Sequence, residues 1–134
     1  MAWSMRDLVS FRAAGRALFS LGLVKGAEGN LSTFDGGTLL ITRTGAHLAR
    51  LSAEDIVAGG LSGELPGASS DLEVHRDLYR AEGPGGVVHA HPPGMVPDGV
   101  PESGAHGSYV FARSLAAATE ETVRRARQRE GAPR

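Results

Sequence analysis

Glycine punctuates this chain so often that its elements are expected to be short and joined by many turns. Nineteen of the 134 residues are glycine and seven are proline, with glycine at roughly twice its usual share of about 7%. Together they stay below the roughly 25–30% that marks low-complexity disorder. Apolar residues make up 41% of the chain, enough to fill a modest core. The expectation is one folded, turn-rich domain over residues 1–134.

Cysteine is absent, which removes disulfides, thiol catalysis and Cys-ligated metal sites. Metal chemistry is left to five histidines and the carboxylates. Fourteen basic residues, Lys25 alone being lysine, face fifteen acidic ones. That balance gives no electrostatic footprint for nucleic acid. No apolar run approaches the roughly 20 residues of a membrane span, and Arg6, Asp7, Arg12 and Arg16 interrupt any signal-like stretch. The expected location is cytoplasmic.

Residues 4–22 read as a helix, with Leu8, Phe11, Gly15, Leu18, Phe19 and Gly22 at spacings of three and four. Gly26-Ala27-Glu28-Gly29-Asn30 forms a loop before two short β runs, 31–34 and 38–42. Asp35-Gly36-Gly37 joins them as a hairpin signal. Ser52-Ala53-Glu54-Asp55 reads as a capping box ahead of a brief strand at Ile56-Val57. A helix is predicted over 71–82, with Ser70 as N-cap and Glu73 as capping partner. Gly83-Pro84-Gly85-Gly86 breaks it, and Val87-Val88-His89-Ala90-His91 alternates as a strand. A weak strand at 109–112 leads into a last helix capped by Ser114. Its stripe is Leu115, Ala118, Thr119, Thr122, Val123 and Ala126.

Three features carry chemistry. On a strand, His89 and His91 project from one face, so two imidazoles stand side by side as two ligands of a divalent ion; the same spacing also occurs in purely structural pairs. A catalytic zinc commonly takes three protein ligands, and His106, in Gly104-Ala105-His106-Gly107, is the third candidate. Ala68-Ser69-Ser70-Asp71 sets two hydroxyls at a helix N-terminus, a phosphate site or a plain cap. Asp71 suits the helix dipole and equally suits acid–base work. The turns Glu28-Gly29-Asn30-Leu31-Ser32 and Thr42-Arg43-Thr44-Gly45 could cradle an anion. His47 is read as a surface-turn residue and His75 as facing the core, both outside the site.

Taken in order, Gly29-Asn30-Leu31-Ser32, Leu40-Ile41-Thr42-Arg43-Thr44-Gly45, Leu51-Ser52-Ala53-Glu54-Asp55-Ile56-Val57, Ser69-Ser70-Asp71 with His75 and Tyr79, and Val87-Val88-His89-Ala90-His91-Pro92 resemble the class II aldolase/adducin family. The likeness runs from the first helix to Pro93. It implies an α/β fold with a mainly antiparallel central sheet flanked by helices. It implies a zinc ion, or another divalent metal, held by three histidines and stabilising an enediolate; His89 and His91 match the paired ligands. Asp71 matches the acid/base. Asn30, Thr44, Gly45, Ser69 and Ser70 match the phosphate pocket.

The family's third histidine lies in a His-Gly turn, which matches His106-Gly107. Here it comes only fifteen positions after His91, where the family carries a longer stretch, so a shortened core is expected. The function implied is a zinc-dependent aldolase acting on a phosphorylated sugar or hydroxycarbonyl. The alternatives are an epimerase or dehydratase on the same metal, or a non-catalytic binding or scaffold member. Family members are typically tetramers, so a homo-oligomer is expected.

Overall fold

Ser4 opens the first helix through a reciprocal cap: its hydroxyl accepts from the Asp7 N–H at 3.4 Å, and the Asp7 carboxylate accepts from the Ser4 N–H at 2.8 Å. The computed structural model describes residues 3–25, 27–91 and 108–131. The first helix, α1 (Met5–Ser20), buries Leu8, Phe11, Ala14, Gly15 and Leu18 along one stripe. Gly15 belongs there because the Leu48 carbonyl passes where a β-carbon would stand.

Five strands follow: β1 (Asn30–Phe34), β2 (Leu39–Thr42), β3 (Ile56–Gly59), β4 (Gly85–Ala90) and β5 (Ser108–Ala112). They pair antiparallel in the order β3-β2-β1-β4-β5. The β1–β2 hairpin closes where Asp35 Oδ1 accepts from the N–H groups of Gly37 and Thr38, at 2.8 and 2.7 Å.

Period-two alternation gives the sheet two apolar faces. Leu31, Leu40, Val88, Ala90 and Val110 meet α1 and the last helix, α3 (Leu115–Gly131). Leu39, Val87, Phe34 and Phe111 meet Tyr79, Leu72 and Leu78 of the middle helix, α2 (Leu72–Glu82). The result is a helix–sheet–helix sandwich around an antiparallel sheet, the architecture the motifs imply.

Two local expectations give way. The cap of α2 is Asp71, not Ser70, and Glu73 pairs with Arg76 at 2.7 Å instead of completing a box. The reason lies outside the helix: the Asp71 carboxylate turns toward β1 and β4, as described below. Gly85 and Gly86 are strand residues, not part of the helix break. A β-carbon on Gly86 would stand 2.5 Å from the Leu115 nitrogen. Glycine is therefore what lets α3 start directly against β4.

Candidate active site

At the end of the sheet where β1 begins and β4 ends lies a cleft of about 410 Å³. It is lined by Ala27, Glu28, Gly29, Asn30, Arg43, Thr44, Gly45, Ser69, Ser70, Asp71, His89 and His91. Asn30, Thr44, Gly45, Ser69, Ser70, Asp71, His89 and His91, widely separated in the chain, are thus brought to one place. His106 lies outside the described residues.

Backbone bonds assemble the polar end of the cleft. The Thr44 N–H donates to the Gly67 carbonyl at 2.9 Å, and the Ser69 N–H donates to the Thr42 carbonyl at 3.0 Å. With the bridge between Arg43 and Ala68, these tie the Thr-Gly turn to the serine loop. The Ser69 hydroxyl accepts from the Asp71 N–H at 3.2 Å and so shapes the turn into α2. On the opposite wall a β-carbon on Gly29 would stand 2.9 Å from the His89 carbonyl oxygen and from Val24 Cγ1. Its φ of +83° also belongs to the region that favours glycine.

The ionisable end is built from strand register. Asn30 sits opposite His89 across β1 and β4, and Tyr109 sits opposite His89 from β5. The His89 and His91 rings lie side by side with centroids 4.7 Å apart, and Tyr109 stacks on His89 at 4.0 Å. His89 Nδ1 lies 2.8 Å from Asp71 Oδ2. An ionised carboxylate only accepts, so Nδ1 carries the proton in this pair. Asn30 Nδ2 donates to the same Asp71 oxygen at 2.8 Å and lies 3.2 Å from His89 Nδ1, so the two donors converge on one acceptor. Burial pulls the Asp71 pKa upward, but the Asn30 hydrogen bond and the nearby His89 outweigh it and hold the group below its ordinary range. Asp71 is therefore ionised at neutral pH.

His75, left in the core by its position on the helix, proves to be bonded to this group. It is fully buried, its Nε2 contacts Asn30 Oδ1, and its Nδ1 lies 2.6 Å from the Ser32 hydroxyl. The legible signal was its spacing of four from Asp71, which sets both on one side of α2. Tyr109 was also missed as a neighbour of the site; burial and the nearby Asp71 charge push its hydroxyl pKa above the ordinary value. Arg43, named only as part of a turn, lines the cleft, with its guanidinium donating to the Glu54 carbonyl at 3.0 and 2.8 Å.

Burial, together with repulsion from His89 and against attraction from Asp71, lowers the His75 pKa from 6.5 to about 3. In the unfolded chain His75 binds a proton near pH 6.5, which the native state refuses until about pH 3. Its contribution is thus fully present above pH 6.5 and is lost as pH falls through that window. Asp71, His89, Tyr79 and Tyr109 are the other titratable groups around it, so a variant must isolate its share. Denaturant unfolding at pH 7 and pH 4.5 is expected to show a stability loss about 2–3 kcal/mol larger in the native chain than in His75→Gln. Equal losses in the two would mean that His75 does not stay neutral.

Two adjacent imidazoles, one oriented through Nδ1 by a carboxylate, match the donor set of a divalent metal site in kind. Among the described residues no group of three His, Cys, Asp or Glu side chains is arranged to hold a metal.

This sandwich, with a histidine pair and a carboxylate facing a Ser/Thr/Gly cradle, defines a class II aldolase-type domain. The chain belongs to the family described as the class II aldolase and adducin N-terminal domain, whose model matches residues 10–97. It is 45% identical over 85 residues to a 5-methylthioribulose-1-phosphate/5-deoxyribulose-1-phosphate aldolase of Rhodospirillum rubrum, covering 60% of this chain and 38% of the relative. It is 38% identical over 87 residues to a probable bifunctional methylthioribose-1-phosphate isomerase/methylthioribulose-1-phosphate dehydratase of Nocardia farcinica, covering 60% of this chain and 16% of the relative. The chain thus spans well under half the length of these curated relatives.

The crystal structure of L-fuculose-1-phosphate aldolase from Thermus thermophilus superposes with a TM-score of 0.84 at 25% identity, over 94% of this chain and 93% of that one. A sandwich of this extent therefore exists in a solved structure. Among the described residues no helix is long and apolar enough to cross a membrane.

Proposed function

We propose that the chain is a metal-dependent lyase that cleaves a carbon–carbon bond of a small sugar phosphate by a retro-aldol route. The observation that carries this reading is the single cleft holding an ionised carboxylate, a histidine pair and a Ser/Thr/Gly cradle. His89 and His91, with His106 as the third ligand, would hold zinc or another divalent ion. When bound, such an ion supplies Lewis acidity toward a substrate carbonyl oxygen.

The chain's own groups do the rest. The Thr44-Gly45 turn and the Ser69 and Ser70 hydroxyls take the phosphate and so fix where the reacting carbons sit; Asn30, expected among them, instead spends its amide on Asp71 and His75. The Asp71 carboxylate, ionised at rest and held through Oδ2, takes the proton of the substrate hydroxyl as the neighbouring carbon–carbon bond breaks. The same carboxyl group can return that proton to carbon. His89 Nδ1–H holds the carboxylate in place meanwhile. A dehydratase is the second reading, favoured by the activity for which the Nocardia relative is named. It needs a proton transfer to Asp71 from a carbon next to the carbonyl, after which the hydroxyl on the neighbouring carbon leaves as water with that proton.

The test is a panel of ketose and aldose phosphates, incubated with purified protein and added divalent metal, with products read by mass spectrometry. Cleavage into two fragments is the expected result; loss of one water without cleavage would replace it with the dehydratase. Bound metal with no turnover on any member would overturn both and leave a binding or scaffold role.

A further inference from the structure

With Asp71 a carboxylate and His75 a neutral imidazole, the hydrogen bonds between β1 and α2 run in one direction. Asn30 stands between Asp71 and His75. A carboxylate only accepts, so the Asn30 amide must turn Nδ2 toward Asp71; the reverse would oppose two acceptors with no hydrogen between them. Asn30 Oδ1 then faces His75 and, having no hydrogen, requires the Nε2–H of that ring. A neutral imidazole has one N–H, so His75 Nδ1 is an acceptor. The Ser32 hydroxyl donates to it at 2.6 Å. With that hydrogen committed, the Tyr79 hydroxyl donates to Ser32 Oγ at 2.7 Å. Every bond from Tyr79 through Ser32, His75 and Asn30 therefore points the same way, toward Asp71 Oδ2.

We propose that His75 is a positioning residue for Asp71: its Nε2–H fixes the Asn30 amide in the one orientation that donates to the Asp71 carboxylate. As a statement about catalysis it rests on the reading of Asp71 as the proton-transferring group. The carboxylate alone gives Asn30 a reason to turn its N–H outward, but the buried side needs a donor to match. Replacing that donor by an apolar group leaves Asn30 Oδ1 buried without a partner, which favours amide rotation and exposure. The oxygen so held is the one that also meets His89 Nδ1, so side chains of β1 and β4 converge on one atom at the start of α2.

Two measurements on the full chain test this, one with no need for turnover. In ¹⁵N-labelled protein at pH 7, long-range proton–nitrogen correlations should show His75 as the neutral Nε2–H form. The Asn30 side-chain amide should exchange with solvent at least about tenfold faster in His75→Leu than in the native chain. A neutral Nδ1–H ring, or unchanged Asn30 exchange, overturns the proposal.

In kinetics on the best substrate of the panel, His75→Leu should lower kcat about 10–100-fold with KM within about threefold. In an Asp71→Asn background the same substitution should change kcat by less than about twofold, because its effect passes through Asp71. Losses that multiply would mark a merely structural residue. His75→Gln, which keeps a donor N–H near the Nε2 position, should recover most of the activity and serves if the leucine variant does not fold; no recovery counts against the proposal. A native chain that shows the Nε2–H form and slow Asn30 exchange but turns over nothing overturns the proposed reaction, not the positioning of Asp71.

Discussion

Asp71→Asn is expected to lower kcat by about 10²–10⁴-fold while leaving KM within a small factor. The asparagine side chain keeps the size of the carboxylate and can still accept from Asn30 and from His89 Nδ1. What it loses is the capacity to take a proton. The native carboxylate is held below its ordinary pKa by contacts that outweigh its burial, so it is ready as a base across neutral pH. The proposed phosphate contacts at Thr44, Gly45, Ser69 and Ser70 keep their own side chains in this variant, which is why KM should hardly move. Steady-state kinetics on the preferred sugar phosphate decide it; a kcat within about threefold of native would remove Asp71 from the chemistry.

The His89→Ala/His91→Ala double variant is expected to lose the metal. Purified native protein should carry about one divalent ion per chain, and the double variant less than about a tenth of that, since one remaining ligand cannot hold a site that normally takes three. Elemental analysis after exhaustive dialysis measures both. Equal, substoichiometric metal in the two proteins would dismiss the histidine pair as a site. His89 is buried and stacked on Tyr109, so circular dichroism must first show that the variant is folded. His91 is half-buried, and His91→Ala alone gives the same metal readout with less disturbance of the core.

How much of this was legible in the linear chain depended on how local the determining force was. The Asp35-Gly36-Gly37 hairpin and the Ser114 cap act within a few residues, and both form where their residue types place them. The Ser70 cap failed because a tertiary contact competed with a local one. Asp71 turns toward Asn30 and His89, the helix start shifts by a residue, and Glu73 is left to pair with Arg76. Gly85 and Gly86 misled for a similar reason. Glycine is a helix breaker in a window of a few residues, yet here it answers to the Ala112 carbonyl and the Leu115 backbone packed on β4.

What the sequence determined by itself was the period of each segment, the identity of most of its caps and turns, and an ordered set of motifs specific enough to name a family. These follow from steric preferences and side-chain chemistry that operate over one or two turns of chain. What only the tertiary structure decided was the meeting of Asn30, Asp71 and His89, and the recruitment of His75 from core residue to partner of the site. Those pairings join residues far apart in the chain, up to 59 positions for Asn30 and His89. They exist because the register of β1 against β4, and the docking of α2 on that face, leave buried donors and acceptors that must satisfy one another. Interior glycine, which at first only forbade long elements, is what lets those backbones approach closely enough to do so.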